Sequence, residues 1–473
     1  MGFANSAPAT SAERLPRALG LRSAVALNMI NMIGVGPFIT IPLIIQAMGG
    51  PQAMLGWLLG AGFALCDGLI WAELGAALPG EGGSYHYLSE IYGPQKWGRL
   101  FSFLFIWQNV FSAPLTIASG CIGLALYATF LWPSLDHPLF ALNAHLAVSQ
   151  ATLVAMGCCL LALVLAYRQI RWIGRLAQWL WGGVLFTMAW VIVAGVTHYN
   201  AARAFRFPPG AFHLGSGFFL GLGSAMLIAF YDYEGYENAN YLGGEVVRPE
   251  RTLPRAILIS IALVALLYLL MNLSVLGVVP WRDMLGGGAA ANYVISTLMQ
   301  RLYGTAAARV VTGLILWTAF ASVFGLLVGC SRILYAAAAD GNFFRSFARL
   351  HPRQRFPTVA LLTLGLVSTA FCIFRLDDVI AALVVIRVLL QYLLQAVGLL
   401  LLRRRRPELA RPFRMWLYPL PVVLAIAGFL FLLVAPAGAL RELAGGGAVA
   451  LAGVGLFLVR ARRDQTWPFA AST

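Results

Sequence analysis

Three carboxylates, Asp232, Glu234 and Glu237, fall in the string Tyr231-Asp232-Tyr233-Glu234-Gly235-Tyr236-Glu237, inside the apolar segment 215–260. An ionisable side chain at membrane depth costs about 2.5–3.5 kcal/mol on insertion scales, so such groups line a cavity or pathway rather than face lipid. A carboxylate placed there can hold an ammonium group, carry a proton or pair with a buried cation. Arg387 is a candidate cation: it is embedded in an apolar run, sixteen residues before Arg403, or about 24 Å along a helix. It can snorkel to the outer end of its run or pair with a carboxylate of the site, and the sequence leaves both open.

A second constellation lies near the N-terminus, in Asn28-Met-Ile-Asn31-Met-Ile-Gly34-Val35-Gly36-Pro37-Phe38-Ile-Thr40-Ile-Pro42. Pro37 removes a backbone donor, and Gly34 and Gly36 leave the backbone uncovered, so a broken helix is expected. Freed amides at the start of the second half-helix can hold an anion such as a carboxylate. A packing kink or a close contact between helices through small residues is the alternative.

Nothing in the chain has the pattern of catalysis or metal binding. The histidines at 86, 137, 145, 198, 213 and 351 fall in loops or at the ends of apolar runs, and the six cysteines sit inside runs without ligand-like spacing. No catalytic residue, metal or cofactor is expected, and the chain does not read as an enzyme.

The elements that position these groups follow from composition. Of 473 residues, 60% are hydrophobic and 11% charged, and the apolar blocks are about as long as a helix needs to cross the hydrocarbon. Twelve spans are predicted, at 24–47, 54–78, 100–130, 147–167, 176–195, 218–243, 257–279, 310–338, 358–373, 379–402, 415–434 and 444–459. Counting alternate connections from a cytoplasmic N-terminus, and Arg332 near the inner end of the span at 310–338 with them, the inside segments carry 25 Lys plus Arg and the outside loops 7. That asymmetry places both termini in the cytoplasm. The net charge of +15 is therefore a topology signal and not a nucleic-acid footprint. Residues 1–23 carry no apolar stretch ahead of the first span, so no cleavable signal is expected.

Lesser features are read structurally. Glu73 lies close to the cytoplasmic end of span 2. Trp107-Gln108-Asn109 in span 3 suits bonding between helices, and His351 suits anchoring of a loop. Among Arg168, Arg171 and Arg175, the middle residue is the one that could reach inward.

The break near Asp232 lies 198 positions after Gly34, with five spans from one break to the next. An odd number of spans per unit inverts the second unit relative to the first, and matching interruptions in inverted halves point to a midplane binding site.

Together these motifs resemble the amino acid-polyamine-organocation (APC) superfamily of secondary transporters, from span 1 to the loop before span 11. Gly34-Val35-Gly36-Pro37-Phe38 is similar to the Gly-Ser/Ala-Gly-Ile-Phe of that group. Ala72-Glu73-Leu74, Pro79 and Gly82-Gly83-Ser84-Tyr85-His86-Tyr87 are similar to its span 2 series. Phe230 to Glu237, with Gly244-Glu245-Val246, Pro249, Arg251 and Pro254-Arg255-Ala256, resembles its span 6 signature. Ser331-Arg332, Asp340-Gly341, His351-Pro352-Arg353 and Arg411-Pro412-Phe413-Arg414 complete the set.

The resemblance implies an all-α membrane protein of twelve transmembrane helices: a 5+5 inverted-repeat (LeuT-like) core with discontinuous helices 1 and 6, plus two C-terminal helices. The divisions are a cytoplasmic tail 1–23, a first repeat 24–195, a second repeat with its preceding loop 196–402, two extra helices 403–459 and a tail 460–473. It also implies that Asn31, Gly34, Val35, Gly36, Phe230, Tyr231, Asp232 and Tyr233 bind substrate, the carboxylate near Gly34 to Gly36 and the ammonium near Phe230 to Tyr233. Tyr231 falls at an aromatic gate. Arg171, Glu237 and Arg387 are assigned to gating or coupling, Arg171 at a position where proton-coupled members carry a basic residue.

Two residues depart from the pattern. Val35 replaces a small Ser or Ala, and Asp232 stands where many members have a small neutral residue. The expected function is alternating-access transport of amino acids across the cytoplasmic (inner) membrane, coupled to protons or to a counter-substrate. Transport of a polyamine or other organic cation, motivated by Asp232 and Glu234, is the alternative, and an amino acid sensor is a remote one.

Overall fold

The structure, a computed structural model of the chain, describes residues 17, 19–80, 82–143, 146–167, 170–286, 288–352, 356–436 and 438–469. For 141–143, 146–147, 170–178, 180 and 181 it describes the backbone alone. Apolar runs of this length can satisfy their backbone only within themselves, and helices follow. In chain order these are α1 Leu21–Met32, α2 Gly36–Met48, α3 Met54–Ala77, α4 Ser84–Tyr92, α5 Gly98–Leu131, α6 Gln150–Ala166, α7 Ile170–Thr197, α8 Ala201–Ala204 and α9 Ser216–Tyr233. They continue as α10 Asn238–Tyr241, α11 Pro249–Val278, α12 Ala289–Asn292, α13 Val294–Ala339, α14 Thr358–Phe371, α15 Leu376–Arg387, α16 Leu393–Arg405, α17 Leu420–Val434 and α18 Ala439–Arg463.

Among the described residues six helical stretches are long and apolar enough to cross a membrane, and a seventh arises if the bent pair α1 and α2 is one span. Shorter apolar helices lie at Gln150–Ala166, Gly182–Thr197, Thr358–Phe371 and Leu420–Val434. The protein is thus an integral, multi-pass membrane protein.

The all-α expectation needs one amendment. An antiparallel hairpin of β1 Pro138–Asn143 and β2 Leu146–Ser149 occupies the connection after α5. Span 4 accordingly starts later than expected, at Gln150, where the Ser149 side chain caps the helix by accepting the Thr152 N–H. The expected span 6 is also interrupted: α9 stops at Tyr233 and only the four residues of α10 resume helical geometry.

The long α5 packs against α13, α4, α15, α6 and α14, while α3 packs against α11 and α9, α2 against α9, and α1 against α11. The two interrupted segments therefore lie against one another and are flanked by α3, α5, α11 and α15. Within the bent first span the axis turns by 49°. Pro42 deprives the Phe38 carbonyl of its helical donor. The Tyr127 hydroxyl of α5 supplies the missing bond at 2.7 Å.

Candidate functional site

The first break covers Ile33, Gly34 and Val35. The Gly34 N–H donates to Met32 O and the Phe38 N–H to Val35 O; among the described residues no protein acceptor takes the Val35 or Gly36 N–H. These amides stand at the positive end of α2. The second break covers Glu234 to Glu237, between the carbonyl end of α9 and α10. A single side chain of α11 bridges the two: the Tyr268 hydroxyl shares its one hydrogen between Met32 O at 2.6 Å and Asp232 O at 3.2 Å. One hydroxyl thus lies against carbonyls at the C-terminal ends of two half-helices.

Close approach of the breaks depends on glycine. Gly235 has φ 117°, and a Cβ there would come within 2.9 Å of Met32 N and 3.1 Å of Asn31 Cβ. Asn28 adds a polar clasp below this contact: its Oδ1 accepts the Ala239 N–H at 2.8 Å and its Nδ2 donates to Ser260 at 3.3 Å.

The three carboxylates part company here. Glu234 pairs with Arg387, Oε2 to Nη1 at 2.6 Å, and also accepts from the Tyr392 hydroxyl at 3.1 Å. The second Arg387 nitrogen reaches Thr116 at 3.3 Å. Of the two readings left open for Arg387, pairing is therefore the one observed. Glu237 turns back on its own backbone and accepts the Gly235 N–H at 3.0 Å. Asp232 crosses to the first break: Oδ2 accepts from Thr40 at 2.5 Å, and Oδ1, buried and without a hydrogen-bond partner, lies over Gly36. A Cβ on Gly36 would stand 2.1 Å from that oxygen.

The other expected site residues divide by direction. Tyr231 borders Gly36, and its hydroxyl shares a hydrogen with Ser119 at 2.7 Å. Gly34 faces Ser322, and the Val35 side chain is buried toward Gly123. Asn31 is half-buried beside Gly235. The Phe230 ring sits among Phe63, Tyr392 and Phe429, while the Tyr233 ring sits between Trp57 and Tyr268 with its hydroxyl on Trp57 O. Those two rings belong to the packed wall, which leaves their backbone to face the break. Arg171 falls in α7, and its side chain lies outside the described residues.

Several residues of this arrangement had no part in the sequence expectations: Thr40, Thr116, Ser119, Tyr268, Tyr392 and Asp67, the last accepting from Tyr236 at 2.6 Å. Asp67 could have been found, because a lone carboxylate in an apolar span is costly by the argument applied to Asp232. Thr40 lies one helical turn beyond Gly36. For Tyr268 and Tyr392 no sequence signal exists, because a lone Tyr in an apolar span usually reads as packing.

Two cavities lie away from the breaks. One of 570 Å³ is bordered by Trp179, Gly183 and Trp317, and one of 250 Å³ by Met48, Gln52, Pro208 and Phe218. Four thiols, Cys121, Cys158, Cys159 and Cys372, gather where α5, α6 and α14 meet. Among the described residues no group of side chains could hold a metal ion.

Apolar helices broken back to back around buried charged and hydrogen-bonding groups define a polytopic membrane transporter. The sequence pattern of the family described as amino acid permease matches residues 19–459, and the chain belongs to that family, within the APC superfamily. Among its relatives, Asc-type amino acid transporter 1 of Homo sapiens is 29% identical over 415 residues, covering 85% of this chain and 74% of the relative. Large neutral amino acids transporter small subunit 2 of Homo sapiens is 28% identical, covering 85% and 72%. The serine/threonine exchanger SteT of Bacillus subtilis (strain 168) is 25% identical, covering 89% and 91%. These relatives are transporters and an exchanger, and the chain is not an enzyme.

Proposed function

We propose that the chain moves amino acids across the cytoplasmic membrane by alternating access around the paired breaks, in exchange for a second amino acid or together with a proton. The observation that carries this reading is the juxtaposition of the two interrupted helices, tied by Tyr268 and by the bond from Thr40 to Asp232, with the second break held to α15 by the Glu234–Arg387 pair. The free Val35 and Gly36 amides suit a substrate carboxylate, and the carbonyl end of α9 near Tyr231 to Tyr233 suits its ammonium. Relatives named for large neutral amino acids and for serine and threonine favour neutral substrates, and one named an exchanger favours exchange.

Around this site we infer twelve spans, arranged as an inverted repeat of 24–195 and 196–402 followed by two further helices, with both termini in the cytoplasm. Glu237 and Arg387, with Arg171, are the groups through which substrate binding would couple to gating or to a proton. The test is counterflow into proteoliposomes: uptake of labelled serine or leucine should rise strongly when the lumen holds unlabelled amino acid. Uptake driven by a pH gradient alone would select proton coupling instead. No uptake under either condition, from protein shown to be folded, would remove the proposal.

A further inference from the structure

The two half-helices that meet at the breaks meet again at their far ends. There the cavity of 250 Å³ lies between the end of α2, at Met48 and Gly49, and the start of α9, at Gly217 and Phe218, with the loop 208–213 as its third wall. Its wall therefore joins the carbonyl end of one helix to the amide end of another. Gln52 is the side chain that marks it as a site. It borders the cavity, is 4% exposed, and donates from Nε2 to Met48 O at 2.5 Å, which fixes the amide so that Oε1 is the atom left over. Oε1 is buried and has no hydrogen-bond partner. Gly50 and Pro208 flank it: a Cβ on Gly50 would stand 2.5 Å from Oε1 and 2.8 Å from Pro208 Cδ. On the opposite side the N-cap of α9 is Gly215, which has no side chain with which to cap the helix. Among the described residues no protein acceptor takes the Gly217 or Phe218 N–H.

Each half of that arrangement asks for a different partner. A buried amide oxygen is completed by an N–H donor, and the amides at the start of α9 are completed by an anion. A lone cation would leave the amides unserved, and a lone anion would leave Oε1 so. The residues described around the cavity include no Asp, Glu, Lys or Arg, so nothing in the wall balances a ligand of net charge. We infer that this cavity is a second binding site, for a free α-amino acid in its zwitterionic form, with the ammonium on Gln52 Oε1 at the α2 end and the carboxylate on the Gly217 and Phe218 amides. By the inferred orientation of the spans it opens on the outer face. A ligand reaches it without passing the breaks, and once bound it clasps α2 to α9 at their outer ends.

Ala211, half-buried in the cavity wall, is the place for a reporter. In the full chain carrying Ala211→Cys, reconstituted in phosphatidylcholine vesicles, a membrane-impermeant methanethiosulfonate should modify the new thiol. The parent chain, whose six cysteines sit in apolar runs, gives the blank. Saturating serine or leucine should slow the modification about tenfold or more. Their methyl esters and N-acetyl derivatives, each lacking one charge of the zwitterion, should not. Gln52→Met, close in size but without Oε1, should remove the protection from a chain whose unfolding midpoint shows it folded. Gly217→Pro, which deletes one amide and is tolerated in the first turn of a helix, should weaken it too. Protection that survives both changes arises elsewhere, as from closure at the breaks, and would overturn the inference, as would equal protection by the esters. The headgroup of phosphatidylethanolamine offers the same ammonium and anion; slower modification in vesicles containing it, with no amino acid added, would give the cavity to lipid and overturn the inference as well. Counterflow by the wild type keeps the two readings apart: protection without counterflow would leave this site and remove transport, and counterflow without protection would do the reverse.

Discussion

At the scale of the residue, the site holds a buried ion pair between Arg387 and Glu234. Their side chains are 15% and 5% exposed. Taking two charges out of water is offset only when each is matched, so removal of one partner leaves a buried charge and costs about 3–5 kcal/mol. Arg387→Ala should therefore lower the thermal unfolding midpoint of the detergent-solubilised protein sharply and abolish exchange. The double variant Glu234→Gln with Arg387→Gln should recover most of the midpoint without recovering transport, as followed by intrinsic tryptophan fluorescence and counterflow. If the double variant is as unstable as Arg387→Ala, unpaired charge is not what destabilises the single one.

At the scale of the element, the broken first span is held by bonds that replace those its sequence removes. Pro42 leaves Phe38 O without a helical donor, and Tyr127 provides one from the neighbouring helix. Tyr127→Phe should cost about 1–3 kcal/mol, the penalty of a buried unsatisfied carbonyl. In a Pro42→Ala background the same change should cost less, because residue 42 then carries the N–H; a double-mutant cycle on unfolding midpoints measures the difference. The second break answers to a different constraint. Gly235 combines φ 117° with backbone of α1 only 2.9–3.0 Å from where a Cβ would stand, so Gly235→Ala must push α1 away from the end of α9. The expected result is loss of exchange in a protein that still reaches the membrane, read by counterflow alongside the quantity of protein recovered.

At the scale of the whole molecule, Glu73 fastens distant parts of the chain. Its buried carboxylate takes two bonds from Arg403, at 2.7 and 2.5 Å, lies 3.7 Å from Arg411 and accepts the Met415 N–H at 2.9 Å. The structural role expected of Glu73 is what these contacts describe: α3 is tied to the end of α16 and to the connection leading to α17. Arg403 also lies over the Tyr418 ring at 3.7 Å, so one of the arginines read as a topology signal has a packing role too. Glu73→Gln, which keeps the size but not the charge, should lower the unfolding midpoint while leaving the KM for substrate near that of the wild type. A change in KM larger than the change in midpoint would mean that this fastening moves with the transport cycle. The inferred orientation is checked at the same scale: a reporter active only in the cytoplasm should be active when fused at either terminus.

The membrane class, the positions of the apolar helices and both breaks were legible in the sequence. Each depends on local chemistry: run length against hydrocarbon thickness, and Gly and Pro against helical geometry. Trp107 and Gln108 likewise bond between helices as expected, to Val449 O and to Gln391, whereas Asn109 donates to Phe105 O within its own helix. What sequence could not decide was which charge meets which. Asp232, Glu234 and Glu237 stand within one short string, yet one crosses to Thr40 and Gly36, one takes Arg387, and one folds back on Gly235 N–H. Those pairings join residues more than 150 positions apart in two of the three cases. They depend on how α2, α9 and α15 are rotated about their axes, and rotation is set by the packing of many side chains at once. Tertiary structure alone, for that reason, separated a carboxylate already neutralised by arginine from one that still has an oxygen to offer.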